Sequence, residues 1–364
     1  MAGVEVKSLA GLNDNVGILG RGEHRMRKRL MIVFAVTLPL VIAMITTLAA
    51  SAAPPAATPT VTPGWVTGLQ GGSGSTVGPD GALYVPEPAS GEISRVDPET
   101  GAVTTFASCL PTQVIPLGGA MDVAFIGNTA YALVTLVSDP FPPIGVHDDV
   151  DGIYRVDGPD SCTVVADIGA FAIANPPNAD IFLATGVQYA MEPYRGGFLV
   201  TDGHHNRVYR VTLDGDVSEF ITFGNTVPTG LEVLGNTIYL AEAGPVPHNP
   251  ADGKVVAFSP GSSTAAVVAS GAPLLVDVER GRGRSLFALS QGDFPCADPA
   301  CAGMPALPNT GALVKVNDDG TFTVLADELN QPTSLEIIGT TAYVVTLGGE
   351  IWKIDNISGP PYGH

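Results

Sequence analysis

Positive charge is what this chain has least of. Its 364 residues hold 17 Lys and Arg against 36 Asp and Glu, and six of the 17 lie before residue 30. Past the apolar run at 30–50, only 11 basic residues remain beside 33 acidic ones, a net charge of −22. A surface of that sign repels phosphate backbones, which excludes nucleic acid as a partner. It suits a soluble exported protein, or one that binds cations. Charged residues of either sign are only 15% of the chain, which is not the composition of a long helical protein. Catalytic signatures are also missing: there is no Gly-x-Ser-x-Gly elbow, P-loop, dinucleotide fingerprint or His-Glu-x-x-His. What is abundant is glycine (44), proline (31) and apolar side chains (45%). Many short strands joined by Gly/Pro turns have this composition, with enough apolar surface for a core.

One long apolar run exists, LMIVFAVTLPLVIAMITTLAA at 30–50. Arg25, Arg27, Lys28 and Arg29 precede it, and Ala50-Ser51-Ala52 follows as a small-residue cleavage site. Residues 26–52 therefore read as an export signal. The run is also long enough to span a bilayer, so a retained membrane anchor is the alternative. Either way the basic flank stays inside, and the rest lies outside the cytoplasm, secreted or held at the outer face of the plasma membrane. Met26 begins an ordinary signal-peptide start, MRKRL, so residues 1–25 are an upstream extension or a cytoplasmic tail. Residues 53–62 form a Pro/Thr/Ala linker.

The remainder repeats. A short strand with an aromatic at or beside its centre recurs six times: ALYV (82–85), AYALV (130–134), GFLV (197–200), TIYL (237–240), SLFAL (285–289) and TAYVV (341–345). A further strand follows each, and most copies carry a cation at one position: Arg95, Arg155, Arg210, Lys315 and Lys353. Five units then have a fourth strand, and the sixth has none. The missing strand is available at the other end, because Gly64–Leu69 aligns with Thr105–Leu110 and Val324–Leu329. The expected fold is all-β: a six-bladed β-propeller over 63–358, closed by a strand around 63–69 that completes the last blade. Such closure leaves no open seam.

The runs VPTGLEV…TIYLAEAGPVPHNPADGKVVAF, GPDGALYVPEPASGEISRVD and GGFLVTDGHHNRVYRVTLDG resemble the ScyD/ScyE family of exported propellers. They are similar more broadly to NHL-type repeats and to six-bladed propellers that include gluconolactonases. The resemblance covers about residues 63–356 and implies the fold and export, with no assigned reaction. In gluconolactonases a glutamate, asparagines and an aspartate hold a divalent metal. Those motifs are not evident here, since Asn128 and Asn236 sit in ordinary turns, so no ligand carries over.

Propeller topology sorts the loops between two faces. First-to-second and third-to-fourth turns are short, whereas second-to-third loops are elaborated: 138–152, 244–253 and 291–311. Binding is expected at the ornate face. His147, His204, His205 and His248 fall there with Asp202, as candidates to bind a ligand, hold a metal or act as acid and base. Solvated polar loops are the plainer reading. A second group comes from the first strands, where Asp122, Glu232, Asp277 and Glu336 are expected to share one repeat position facing the central channel. Crowded carboxylates call for a cation such as Ca²⁺, or for a hydrated channel whose acids bond to N–H groups of adjacent blades. Cys296 and Cys301, in one loop, are a candidate disulfide. Cys109 and Cys162 fall on opposite faces, too far apart to pair.

The sequence thus predicts an exported, monomeric propeller that binds a small molecule or a cell-surface component. The alternative is a metal-dependent hydrolase or lactonase at the acidic channel mouth.

Overall fold

The computed structural model describes residues 57–138, 149–178, 183–246, 248–249, 251–295, 301 and 303–358. Among the described residues, twenty-four strands form six four-stranded antiparallel sheets, which succeed one another along the chain as the blades of a propeller. From the axis outward, blade 1 is Thr76–Val77, Leu83–Glu87, Glu92–Val96 and Val103–Ala107. Blade 2 is Gly119–Ile126, Thr129–Thr135, Gly152–Gly158 and Ser161–Asp167. Blade 3 is Gln188–Tyr194, Gly197–Asp202, Arg207–Thr212 and Val217–Thr222. Blade 4 is Pro228–Leu234, Thr237–Glu242, Gly253–Phe258 and Ala266–Ala272. Blade 5 is Leu275–Arg280, Leu286–Ser290, Gly311–Val316 and Phe322–Leu329. Blade 6 is Pro332–Ile338, Thr341–Thr346 and Ile351–Asp355, with Thr60–Val66 as its outermost strand.

That outermost strand runs antiparallel to the last one, with Thr60 opposite Asp355 and Val66 opposite Ile351. The ring is therefore closed by both ends of the chain, by a strand that begins three residues before the 63 expected from the alignment. Ser75 and Ser334 complete the closure near the axis, their hydroxyls 2.8 Å apart.

The core is divided among the blade interfaces. Second strands are apolar on both faces because each lies between two neighbouring sheets: Leu83–Glu87 and Leu286–Ser290 are buried throughout. Fourth strands are largely exposed instead, with buried residues only toward their ends, as rim strands are. Among the described residues, most buried side chains gather into six clusters, one at each blade interface, and a small seventh forms around Ala243, Leu274 and Ala306. Between blades 1 and 2, for example, Tyr84 meets Phe106 at 4.9 Å and Phe125 at 4.8 Å, edge to face.

The rim overturns one expectation. Cys109 and Cys162 are disulfide-bonded, with their Cα atoms 5.5 Å apart. Assigning loops to two faces holds near the axis, where strands run along it. Sheet twist progressively turns the outer strands across the axis. The end of one fourth strand then approaches the start of the next blade's fourth strand. Ser108 N–H accordingly bonds to the Pro159 carbonyl at 2.7 Å, and Ser270 N–H to the Gly320 carbonyl at 3.3 Å. Cys301 is also disulfide-bonded, while Cys296 lies outside the described residues.

The connection from blade 2 to blade 3 holds a short helix, Ile168–Ala174, that the apolar run there did not reveal. The Asp167 carboxylate caps it by accepting from Ala170 N–H at 2.7 Å. The apolar run at 30–50 lies outside the described residues, and among the described residues no helix is long and apolar enough to cross a membrane.

Candidate functional site

The innermost strands aim carboxylates into the channel, but not in the register expected. Glu192, Glu232, Glu279 and Glu336 oppose Leu199, Tyr239, Phe287 and Tyr343 of the second strands, so these four share one position. Thr76 and Ala124 fill it in blades 1 and 2. Asp122 and Asp277 stand two residues earlier on the same face of their strands. The expected group of Asp122, Glu232, Asp277 and Glu336 therefore mixes two levels, and it omits Glu192 and Glu279. The inner strands of blades 2 to 6 all carry the same pairing irregularity, and Asp277 stands where Ser334 does in blade 6; matching Asp-Val to Glu-Val by residue type caused the mismatch.

Both aspartates are committed to the backbone. Asp122 accepts from its own strand's Val123 N–H at 2.8 Å and from Met191 N–H of blade 3 at 2.7 Å. Asp277 repeats this three blades on, with Val278 N–H at 2.9 Å and Leu335 N–H of blade 6 at 2.8 Å. The preceding blade approaches each one closely. A Cβ on Gly74 would lie 2.3 Å from an Asp122 oxygen, and one on Gly230 would lie 2.1 Å from an Asp277 oxygen. Glycine is required at both places so that the carboxylate can reach across to the next blade.

Burial pushes the Asp277 carboxyl up to about 6, against the pull of its N–H donors. Asp122, Glu192, Glu279 and Glu336 are pushed well above the carboxylate range, chiefly by burial and then by one another. Glu232 rises less, because Arg280, 3.9 Å away, opposes its burial. The four glutamates keep some accessible area only because they face the lumen. The space there is about 30 Å³, room for a water or two. Among the described residues, no three His, Cys, Asp or Glu side chains converge as metal ligands do. Backbone N–H groups already occupy the Asp122 and Asp277 oxygens, which weakens these two as ligands for a cation such as Ca²⁺.

A larger cavity of about 1180 Å³ lies on the ornate face. Leu136, the blade 2–3 connection, the His204–Arg207 turn of blade 3 and the loop of blade 4 line it. His204, His205 and His248 come together on its wall, whereas His147 lies outside the described residues. Tyr189 lines both this cavity and the channel, and its hydroxyl donates to the Thr333 carbonyl of blade 6 at 2.8 Å. One phenol thus crosses from blade 3 to the opposite blade and separates the two spaces.

Asp202 does not face the cavity; it organises the wall from behind. Oδ1 accepts from the N–H groups of Val187, His204 and His205 at 3.0, 3.2 and 3.0 Å. Oδ2 accepts from the Tyr209 hydroxyl at 2.7 Å and from Gln188 Nε2 at 3.3 Å. His205 Nδ1 lies 3.0 Å from Arg207 Nη2, which can only donate, so Nδ1 accepts and Nε2–H donates to the Leu183 carbonyl at 3.0 Å. Burial lowers the pKa of His205, consistent with this neutral form. Burial also lowers His204, whose Nε2 accepts from Leu183 N–H at 3.2 Å, and His248, whose ring stands edge-on to Phe294 at 4.9 Å. His248 Nδ1 is buried without a hydrogen-bond partner.

Arg207, Tyr209, Glu219 and Tyr189 escaped the sequence reading. One signal was available. Arg207 is an extra cation at the start of a third strand, three residues before the recurrent Arg210.

No family profile matches this chain, and no curated protein does. Solved structures do. Virginiamycin B lyase from Staphylococcus aureus is 12% identical, with a TM-score of 0.51 over 82% of this chain and 99% of that one. PQQ-bound aldose sugar dehydrogenase from Streptomyces coelicolor is 16% identical, with a TM-score of 0.56 over 83% and 99%. A gluconolactonase from Xanthomonas campestris is 11% identical, with a TM-score of 0.54 over 82% and 89%. At these identities the likeness is one of fold, the six-bladed β-propeller.

Proposed function

We propose that this chain is an exported, monomeric propeller that binds a small amphipathic molecule in its ornate-face cavity. The cavity itself carries the reading. It has the volume of a ligand pocket, and apolar walls broken by a few fixed polar groups. The Asp202 network sets those groups before any ligand arrives, which lowers the cost of binding. The disulfide between Cys109 and Cys162 supports export, because such bonds persist in oxidising compartments. The ScyD/ScyE resemblance points the same way.

A second reading is catalytic. Neutral imidazoles at His204 and His248 beside a cavity are suited to proton transfer, and lyases, lactonases and dehydrogenases are built on this fold. The metal-dependent lactonase version has less support, since the channel aspartates are occupied by backbone donors.

Nile red, a neutral amphipathic dye, tests the cavity. Wild-type protein should enhance its fluorescence, and Val246→Trp, on an exposed part of the wall, should weaken binding about tenfold. Equal enhancement by both proteins would refute the site.

A further inference from the structure

Among the described residues, the cavity wall carries a single Lys or Arg, Arg207. Its side chain keeps only 2% of its accessible area. Nε donates to the Tyr209 hydroxyl at 2.9 Å, Nη1 to the Asn175 carbonyl at 2.8 Å and Nη2 to His205 Nδ1 at 3.0 Å. All three acceptors are neutral. Its ion pair is with Glu219, whose Oε2 lies 3.5 Å from Nη1 and whose side chain is 49% exposed.

These partners are unequal. A guanidinium shut away from water is best matched by a planar carboxylate at about 2.7–2.9 Å, held by two parallel bonds. Glu219 sits farther off and makes no such bond. Being half in water, it loses little by swinging away. Asp202 is no substitute, because it meets Arg207 through two neutral groups, the Tyr209 hydroxyl and the His205 ring, whose Nδ1 lies 3.3 Å from Asp202 Oδ2. The guanidinium is thus rigidly aimed, while its counter-charge on the cavity side is loosely attached. Ile115, Val187 and Val227 on the same wall are partly exposed and offer apolar surface with no competing charge.

We propose that the cavity takes an amphipathic monocarboxylate, its head group on Arg207 in place of Glu219 and its apolar body along Ile115, Val187 and Val227. This rests on reading the cavity as a ligand site. Titration calorimetry with decanoate and 1-decanol, which share a chain length, separates the two claims. Wild-type protein should bind both, and the acid roughly tenfold more tightly, as expected for a charge-assisted bond. Glu219→Gln is isosteric and half-exposed, so the fold should survive it. It removes the competing carboxylate, tightening decanoate several-fold and leaving decanol unchanged. Val246→Trp should weaken both probes. If acid and alcohol bind alike and Glu219→Gln moves neither, the head-group assignment is overturned while the cavity reading stands. If neither probe binds, both are overturned.

Discussion

The channel and the face cavity are separated by one phenol and use buried polar groups in opposite ways. Every titratable group inside the channel is an acid, and its two aspartates are committed to joining blades. The space left holds a water or two. In the cavity one acid, Asp202, sits behind the wall and fixes imidazoles and a guanidinium at the surface of a much larger space. Crowded charge alone therefore does not mark a site. What marks it is charge held in place with volume left over.

The comparison breaks most sharply at Asp122. Replacing it with Ala leaves Val123 and Met191 N–H groups buried without acceptors, at a cost of about 4 kcal/mol, read from the urea midpoint. Nile red binding in the cavity should persist in that variant. A loss of dye binding at matched folded fraction would show that the two regions are not independent.

Acidity should act on the two regions with opposite sign. The folded channel holds its carboxyls above their unfolded values, so it binds protons more readily than the unfolded chain does. That contribution is full below the unfolded pKa near 4 and is lost as pH rises, by about pH 6 for Asp277. For Asp277 it is on the order of 3 kcal/mol. The cavity histidines are held below their unfolded value, so their contribution is present above about pH 6.5 and fades as pH falls. Thermal unfolding from pH 4 to 8 should show Glu336→Gln gaining on wild type as pH rises. An unchanged profile would refute the channel contribution.

Smaller effects sharpen the boundary. Tyr189→Phe removes one hydrogen bond to Thr333 and should cost about 1 kcal/mol of unfolding free energy. It should also admit more water between the two spaces, seen as faster hydrogen exchange at Thr333. His248→Leu removes a buried Nδ1 that lacks a partner but also the ring's hydrogen bond to the Ala243 backbone, so stability should change by less than about 1 kcal/mol. A large fall in melting temperature would show that Nδ1 too is bonded in solution.

Much of this was legible in the sequence, for identifiable reasons. Tyr84, Tyr131, Phe198, Tyr239, Phe287 and Tyr343 recur because each second strand lies between two sheets, and burial on both faces leaves a strong pattern. The absent sixth fourth strand, with a spare one near the N-terminus, pointed to ring closure. The register of the inner strands was less legible. Asp277 and Glu279 lie two residues apart on one face of their strand, and residue type alone matched Asp277 with Glu232 and Glu336, so Glu279 went unnoticed, as did Glu192. The pairing of Cys109 with Cys162 depends on sheet twist, which a flat drawing of strand order discards. The cavity was legible only as a cluster of histidines. Its Arg207–Tyr209–Asp202 support forms where a turn brings residues of adjacent strands side by side.

The strand Thr60–Val66 has a consequence in time as well as in space. Its only ladder partner, Ile351–Asp355, is synthesised almost three hundred residues later. Until then the growing chain holds five blades and a solitary strand with unsatisfied amides, and nothing joins blade 1 to its missing neighbour. The last event in folding is thus a long-range one, slow in the manner of other non-local β pairings. Deleting residues 57–66 should leave far-ultraviolet circular dichroism nearly intact while the refolded product self-associates through the open edge of Ile351–Asp355.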